Sequence, residues 1–286
     1  MKLAIVTAVH GRPKITEAFT KSVKRIYETF GIHTFAAVTE DWDQYGDELI
    51  DPSFHLLTGE HMHVVKYKNK PVGEKFNQAV QLSKEHDWTH LMILGSDDIA
   101  SNGLIEQTLT MGKYDMSGPD GLWFWGLNPR RAGFQDFGYF DLRGMIAGTG
   151  KVLSRRVIEA CDYSPWPDAC NYGMDGKLNK RIKNSFTVYN TPMVLGGYKP
   201  PQTGGFLLDV KHTHHISSMS PITRDRGMAR VGKKEMWEQQ DAYDVLYNHL
   251  PIDERDYLFR LHAEALEDIN HRRAAIGQKP IEFRRG

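Results

Sequence analysis

Apolar segments of strand length alternate with helical patterns along the first third of the chain. Residues 3–8 have the length and composition of a buried strand. The residues after this strand place apolar side chains on one helical face: Ile15, Phe19, Val23, Ile26 and Phe30. Pro13 suits the first turn of that helix and Gly31 its end. A second buried strand is predicted at 34–39, which completes a strand, helix, strand unit.

The same alternation continues as far as residue 94. The pattern predicts a strand at 63–67, a helix at 74–86 and a further strand at 89–94. Strands that alternate with helices imply a mostly parallel sheet that is covered by helices on both faces. The predicted fold class is therefore α/β, with a Rossmann-like sheet.

The rest of the chain has a less regular pattern. It predicts a helix at 104–111, an aromatic strand at 121–127, a glycine-rich turn at 144–151, and helices at 154–161 and 174–182. Two further helices are predicted at 235–249 and 253–273, separated by Pro251. The C-terminal part is therefore expected to be a helical extension.

The composition is that of an ordinary globular protein. The 286 residues are 40% hydrophobic and 25% charged, and the 36 basic residues balance the 36 acidic ones. This balance gives no general attraction for a polyanion. The charges are separated along the chain, because residues 40–60 hold seven acids and no Lys or Arg, whereas residues 211–234 hold six bases and one acid. Such runs are usually solvated faces, but this separation can orient an anionic ligand.

Cysteine content and hydropathy indicate a location inside the cell. Cys161 and Cys170 are too few for a disulfide scaffold or a thiolate zinc site. The most apolar windows are far shorter than the roughly 18 to 20 residues that span a bilayer, and residues 1–8 lack the features of a signal peptide. We therefore expect a cytoplasmic protein without membrane association.

Two adjacent carboxylates, Asp97 and Asp98, are predicted in the loop that follows the strand at 89–94. Ligands of open α/β sheets bind at the carboxyl ends of the strands. Hard cations such as Mg²⁺ and Mn²⁺ prefer oxygen ligands and keep phosphate oxygens in their shell, so the pair predicts metal-bridged diphosphate binding. The alternative is a turn or a helix N-cap, where aspartate is also common.

A second group of possible metal ligands lies at 212–215. In an extended segment His212 and His214 point to the same side, so either can reach a metal ion. We expect one of them to complete the shell of Asp97 and Asp98. A zinc site built only from these histidines is the alternative, although it would need another ligand.

Asp175 lies at the start of the helix predicted at 174–182. A carboxylate there can take a proton from an attacking hydroxyl group. The alternative is an acid that only stabilises the first turn through the helix dipole.

The order of these motifs resembles that of GT-A glycosyltransferases of the family 2 kind, over about residues 3–183. Four segments carry the likeness: Thr7-Ala8-Val9-His10-Gly11-Arg12-Pro13, Thr39-Glu40-Asp41, Gly73-Glu74-Lys75-Phe76-Asn77-Gln78-Ala79, and Ser96-Asp97-Asp98. The chain departs from the family in having Ser96-Asp97-Asp98 where a strict Asp-X-Asp is usual. It also has Met174 where relatives carry a glutamate before the base.

The resemblance implies a role for each matching residue. It places Thr7, Ala8 and Arg12 against the nucleotide, Glu40 near the base or ribose, and Asp97 or Ser96 near the ribose. Lys75 and Asn77 would line the donor side. Asp98 and either His212 or His214 would bind Mn²⁺ or Mg²⁺, and Asp175 would be the catalytic base. The expected donor is a UDP-sugar, and the expected reaction is direct displacement with inversion at the anomeric carbon.

The same resemblance implies a division of the chain. Residues 1–234 would form the GT-A domain, with a nucleotide-sugar half at about 1–115 and an acceptor half at about 116–234. Residues 235–286 would form the helical extension.

The acceptor is predicted from a looser likeness to phage-type enzymes that glycosylate hydroxymethylated pyrimidines in DNA. Basic clusters at Arg130-Arg131, Lys151-Arg155-Arg156 and 211–234 would bind phosphates, and Trp123, Trp125 or Tyr139 would stack on an extruded base. Hydroxymethylcytosine in DNA is thus the leading single acceptor, with a glycan or small molecule as the alternative.

Two other classes of function use similar features. A Mg²⁺-dependent nucleotidyltransferase would also use an acidic pair on an α/β sheet, but it would attack the α-phosphate and release pyrophosphate. A binding module for carbohydrate or nucleic acid would keep the cleft without needing Asp98 or Asp175.

Overall fold

The computed structural model describes residues 1–39, 54–128, 134–142, 145–171, 173–188, 195–198, 204–211, 238–239 and 242–280. The helices are α1 (Pro13–Phe30), α2 (Val72–Leu82), α3 (Asn102–Leu109), α4 (Arg155–Ala160), α5 (Met174–Val188), α6 (Ala242–His249) and α7 (Ile252–Ala275). The strands are β1 (Leu3–Val9), β2 (Thr34–Thr39), β3 (Met62–Tyr67), β4 (His90–Ile93), β5 (Asp98–Ala100), β6 (Met116–Pro119), β7 (Gly121–Asn128), β8 (Phe134–Asp141), β9 (Val152–Ser154), β10 (Leu195–Tyr198), β11 (Leu207–Lys211) and β12 (Glu238–Gln239).

The main sheet has seven strands in the order β10-β6-β9-β4-β1-β2-β3. All neighbouring pairs are parallel except those of β9, which runs antiparallel between β4 and β6. The prediction of an α/β fold with a mostly parallel sheet is confirmed. Strand β9 was not predicted from the pattern, because its three residues are too short to show a period.

Helices cover both faces of the main sheet, as the apolar strands require. Successive side chains of a strand point to opposite faces, so Ile5 and Val6 of β1 enter different cores. Ile5 packs in a cluster with Phe19 of α1, and Val6 packs in a second cluster with Val80 of α2 and Leu178 of α5. The continuous apolar runs of β1 and β2 therefore reflect burial on two sides.

A second sheet, which the sequence pattern did not predict, contains five strands in the order β12-β8-β7-β11-β5. It corrects two predictions. Asp98 does not lie in a loop but begins β5, which pairs antiparallel with β11. Residues 238–239, predicted as helix, form β12 against β8. The remaining predicted C-terminal helices are present as α6 and α7, and Pro251 precedes α7.

The C-terminal helices share a core with the second sheet. Trp125 of β7, Leu246 of α6 and Leu258 of α7 are buried in one cluster. An ion pair also joins α7 to α1, because the guanidinium of Arg25 on α1 donates to the carboxylate of Glu254 on α7 at 2.6 Å. Cys161 and Cys170 are both buried thiols. Among the described residues, none of the helices has the length and apolar character needed to cross a membrane.

Histidine rings line the amino ends of β2 and β3. Nε2 of His63 lies 3.2 Å from Nδ1 of His33, and the ring centroids of His63 and His86 are 4.4 Å apart. The ring of His63 also stacks on Phe35 at 4.7 Å. Burial lowers the pKa of His63, and the neighbouring His86, His33 and His61 lower it further.

We expect this row to weaken the fold in acid. Because the pKa of His63 is lowered in the folded state, the unfolded chain binds its proton more readily. The contribution of neutral His63 to the free energy of unfolding is complete above the ordinary histidine pKa of about 6.5. This contribution is lost as the pH falls below that value. Thermal unfolding followed by circular dichroism from about pH 7 to about pH 5.5 should therefore show a smaller fall in Tm for His63→Gln than for the wild type. His271→Gln, at an exposed position of α7, should behave like the wild type.

Candidate active site

Three buried acids meet where β4, β5 and β11 come together. One carboxylate oxygen from each of Asp97, Asp98 and Asp209 lies within 4.8 Å of the others. The antiparallel pairing of β5 with β11 places Asp209 opposite Asp98. The backbone N–H of Val210 also donates to the carbonyl of Asp97 at 3.0 Å. The carboxyl end of β4 therefore carries an acidic cluster, Asp97, Asp98 and Asp209, as expected for a ligand site of an α/β sheet.

Gly95 permits the two adjacent acids to turn towards each other. A Cβ atom at position 95 would lie 2.6 Å from Oδ1 of Asp97 and 2.7 Å from Oδ2 of Asp98. The backbone N–H of Gly95 and the hydroxyl of Thr149 both donate to Oδ2 of Asp98. Any side chain at position 95 would displace both carboxylates, so the conformation of the cluster depends on glycine there.

Arg12 reaches the cluster from the turn between β1 and α1. Its guanidinium donates to Oδ2 of Asp97 at 3.2 Å and to the hydroxyl of Ser96 at 3.0 Å. Arg12 also precedes the first turn of α1, where free backbone N–H groups and the helix dipole favour anions. Residues predicted to bind the nucleotide, Arg12 and Asp97, therefore lie in contact.

The acidic cluster suits a hard divalent cation. Burying several carboxylates together is unfavourable unless cations compensate their charge. Arg12 pairs with Asp97, and the three side chains of the cluster bring carboxylate oxygens within 4.8 Å of one another. Mg²⁺ and Mn²⁺ prefer oxygen ligands, whereas structural zinc sites typically have nitrogen and sulfur ligands. Three carboxylates therefore fit Mg²⁺ or Mn²⁺ better than zinc.

The glycine-rich turn 148–151 connects the acidic cluster to Asp175. Hydrogen bonds anchor this turn to β4, from the N–H of Gly150 to the carbonyl of Ile93 at 2.7 Å and from the N–H of Ile93 to the carbonyl of Lys151 at 2.8 Å. Thr149 donates to Asp98. The carboxylate of Asp175 lies against Gly148, where an added Cβ would approach both oxygens to 2.1 Å. Adjacent residues of one turn thus contact Asp98 and Asp175.

Asp175 is suited to accept a proton from a bound molecule. It lies in the first turn of α5, where the helix dipole favours a negative charge. Its side chain is 61% exposed, unlike the buried acids of the cluster. The site therefore offers a buried carboxylate group for a cation and, across the turn, an accessible carboxylate for proton transfer.

We expect Gly148→Ala to displace Asp175 at little cost to folding. The new Cβ would clash only with the carboxylate end of an exposed, flexible side chain, and the backbone of Gly148 is not in the left-handed region. A displacement of about 1 Å at a catalytic group can reduce turnover on the order of 10²-fold. Gly176→Ala is the matched control, because no atom lies within 4 Å of its added Cβ. Equal turnover of the two variants, with equal Tm values, would contradict this placement of Asp175.

Lys75 and Asn77, predicted to line the donor side, use their side chains within the fold. The ammonium of Lys75 is buried and donates to the carbonyl of Val9 and to the hydroxyl of Thr39, the latter at 2.5 Å. The amide of Asn77 pairs with the backbone of Trp166 at 2.9 and 3.1 Å. Both residues therefore support the ends of β1 and β2 and the loop before α5. Their direct contact with a donor stays a prediction.

The remaining predicted residues divide between β1 and regions that are not described. Thr7 is fully buried, with no hydrogen-bond partner for its hydroxyl among the described residues, and Ala8 is half-buried. Glu40, His212 and His214 lie outside the described residues. Their predicted contacts with a nucleotide and a metal therefore stay predictions.

Asp209 was missed by the sequence analysis. The feature that could have identified it is a single acid inside the otherwise apolar run 206–210. Such an acid is unusual in a buried strand unless it has a partner or a ligand. The partner, Asp98, is more than one hundred positions away in sequence, and only the pairing of β5 with β11 reveals it.

The predicted nucleic-acid contacts are wrong for the buried residues Trp123, Trp125 and Lys151. Trp123 and Trp125 are buried in the core shared with the C-terminal helices, so their faces are not available to an extruded base. Lys151 is buried, and Arg156 pairs with Asp115. The guanidinium of Arg155 covers the ring of Trp88 and donates to backbone carbonyls nearby. Arg130, Arg131 and 212–234 lie outside the described residues.

Comparisons with known proteins give likeness of fold only. No protein-family model matches the sequence, and the search of curated proteins found no significant match. S. aureus TarS 1-349 in complex with UDP-GlcNAc is 12% identical, with 96% of this chain and 73% of that chain covered and a TM-score of 0.48. The inositol-1-phosphate CTP transferase from T. maritima is 14% identical (82% and 97% covered, TM-score 0.43). HddC from Yersinia pseudotuberculosis is 13% identical (73% and 93% covered, TM-score 0.40). These similarities are too weak to assign an activity.

Proposed function

We propose that the protein is a metal-dependent glycosyltransferase that moves a sugar from a nucleotide sugar, with UDP-sugar as the expected donor, to a hydroxyl acceptor. The observation that supports this proposal most strongly is the arrangement around turn 148–151. A buried acidic cluster lies on one side of the turn and the accessible Asp175 on the other. A cation held by the first kind of carboxylate can assist the departure of a diphosphate, and the second kind can accept the proton of a hydroxyl group.

The acidic cluster is the proposed cation site. Asp97, Asp98 and Asp209 would hold Mg²⁺ or Mn²⁺, with His212 or His214 as a further candidate ligand from outside the described residues. When bound, the cation would neutralise negative charge on a departing diphosphate. Thr149 and the N–H of Gly95 orient Asp98 for this role by donating to one of its oxygens.

Arg12 is proposed to bind phosphate oxygens of the donor. In the structure its guanidinium is held by Asp97 and Ser96 at the carboxyl end of the sheet. A guanidinium can donate to two acceptors at once, so Arg12 can keep one of these contacts while it binds a phosphate. Asp97 would then position Arg12 as well as contribute to the cation site.

Asp175 is proposed as the base that accepts the proton of the attacking hydroxyl. A base on the face of the sugar opposite the diphosphate permits direct displacement, in which the new glycosidic bond forms as the sugar to phosphate bond breaks. This geometry inverts the anomeric carbon. The exposure of Asp175 and its place in the first turn of α5 support this role.

The proposed acceptor is a molecule that carries a free hydroxyl group. Hydroxymethylcytosine in DNA is retained as the first acceptor to test, but the described aromatic and basic side chains do not form the expected DNA surface. Glycans and small molecules with hydroxyl groups are the alternatives. All of them share the same donor chemistry, so donor turnover can be tested first.

The test is incubation of the protein with Mn²⁺ and a panel of nucleotide sugars, with and without hydroxymethylcytosine DNA. Nucleotide diphosphate release and a gain of one sugar mass on the DNA would support both donor and acceptor. Nucleotide release without a gain of mass on DNA would keep the transferase and reject this acceptor. Pyrophosphate release from a nucleoside triphosphate and a sugar phosphate, with no turnover of any nucleotide sugar, would instead identify a nucleotidyltransferase.

A further inference from the structure

Lys151 is a buried lysine next to the candidate base. The side chain of Lys151 is only 1% exposed, whereas that of Asp175 is 61% exposed. The ammonium Nζ donates to Oδ1 of Asn179 at 3.0 Å and lies 3.9 Å from Oδ1 of Asp175. Asp175 and Asn179 are four residues apart on α5, so they lie on the same face of that helix. The ammonium therefore reaches the base from the protein interior.

Burial of this ammonium is unfavourable by itself. Burial lowers the pKa of Lys151, and the negative charge of Asp175 opposes that shift. Lysine is almost never fully buried unless it is paired, because the charged group loses its hydration. A shorter apolar side chain would fill a buried position at the start of β9 without this cost. The position of Lys151 thus suggests a role in the site.

The turn 148–151 holds the carboxylate of Asp175 from two sides. Gly148 provides the space that its oxygens occupy, and Lys151 provides the opposite charge. The same turn carries Thr149, which donates to Asp98. Since hydrogen bonds join the turn to Ile93 of β4, Asp98 and Asp175 both contact one element that is anchored to the main sheet.

We propose that Lys151 is a positioning residue for Asp175, which holds the carboxylate beside Gly148 at a fixed place relative to the acidic cluster. This inference rests on the proposed function, in which Asp175 is the base. It adds a residue that the family resemblance does not assign. Lys151 itself does not touch the reacting atoms.

The contact can be tested without turnover, in the full-length protein. The titration of Lys151 is followed by NMR of the ¹³Cε signals in protein grown with ¹³C-labelled lysine, and the Lys151 signal is assigned by its absence in Lys151→Met. Because Asp175 raises the pKa of Lys151, Asp175→Asn should lower the midpoint of this titration. Asp168→Asn, at an exposed position of the loop before α5, should leave the midpoint unchanged. An unchanged midpoint in Asp175→Asn overturns the proposal.

The role in positioning is tested by steady-state kinetics of Lys151→Met. We expect kcat to fall on the order of 10²-fold while the KM for the donor changes little, because a misplaced base affects the reaction step more than donor binding. Lys180→Met, on the exposed side of the same helix, should retain the wild-type kcat. Thermal unfolding of each variant separates a loss of fold from a loss of positioning.

The outcomes distinguish this inference from the proposed function. A folded Lys151→Met variant with the wild-type kcat overturns the positioning role even if the NMR contact exists. A wild-type protein that turns over no nucleotide sugar overturns the proposed function. In that case a lowered Lys151 midpoint in Asp175→Asn would still support the positioning of the Asp175 carboxylate by Lys151.

Discussion

Asp175→Asn is expected to lower kcat by about 10²- to 10⁴-fold, which is the usual contribution of a general base. The amide keeps the size of the carboxylate but does not accept the proton of the acceptor hydroxyl. The KM of the donor should stay near the wild-type value, because Asp175 contacts turn 148–151 and not Arg12 or the acidic cluster in the structure. Initial rates of nucleotide diphosphate release at saturating donor measure this effect.

Donor binding provides the control for Asp175→Asn. Calorimetric titration of the variant with UDP and Mn²⁺ should give the wild-type Kd, which shows that the nucleotide site is intact. Asp168→Asn is the matched exposed variant and should keep the wild-type kcat. Unimpaired turnover of Asp175→Asn would remove this residue from the role of base.

Asp98→Asn and Asp209→Asn are expected to weaken Mn²⁺ binding strongly. Even changes to residues that only support metal ligands typically cost about 10- to 100-fold in affinity, so loss of a direct ligand should cost at least about 100-fold. Asp209 is the more informative position, because its proximity to Asp98 depends on the pairing of β5 with β11. Electron paramagnetic resonance of free Mn²⁺ in the presence of UDP measures the affinity.

The Mn²⁺ titration also distinguishes two possible sets of protein ligands around the cation. If Asp209 is a ligand, Asp209→Asn should reduce the affinity about as much as Asp98→Asn. If His212 or His214 alone completes the shell, His212→Ala or His214→Ala should reduce the affinity and Asp209→Asn should not. Asp87→Asn, at an exposed position before β4, is the control and should bind Mn²⁺ normally.

Helix α1 and strands β1 to β4 of the main sheet were predicted because their burial is local and periodic, whereas β6, β9 and β10 of that sheet were not. Residues 13–30 show one apolar face, and β1 and β2 are continuous apolar runs, so each element is visible in its own sequence. The second sheet shows less of this signal, although its strand β7 was predicted from an aromatic run. Strands β5 and β12 of that sheet, and β9 of the main sheet, contain three residues or fewer, and they exist because distant segments pair with them. Pairing of this kind cannot be deduced from periodicity.

The site was predictable where its residues follow recognisable elements. Asp97 and Asp98 directly follow an apolar strand, and Asp175 begins an amphipathic helix, so their types and positions were informative. Asp209 and Lys151 were not recognised as site residues. Their roles depend on the register of β11 with β5 and on the contact of turn 148–151 with α5. The tertiary structure was needed to place them beside the predicted acids.

Anomalous scattering from Mn²⁺ in crystals grown with a UDP-sugar tests the central claim most directly. The account predicts one peak about 2 Å from carboxylate oxygens of the acidic cluster and from oxygens of the diphosphate, with the anomeric carbon between this peak and Asp175. A bound donor whose diphosphate lies away from Asp97, Asp98 and Asp209, with no Mn²⁺ peak beside these residues, would contradict it.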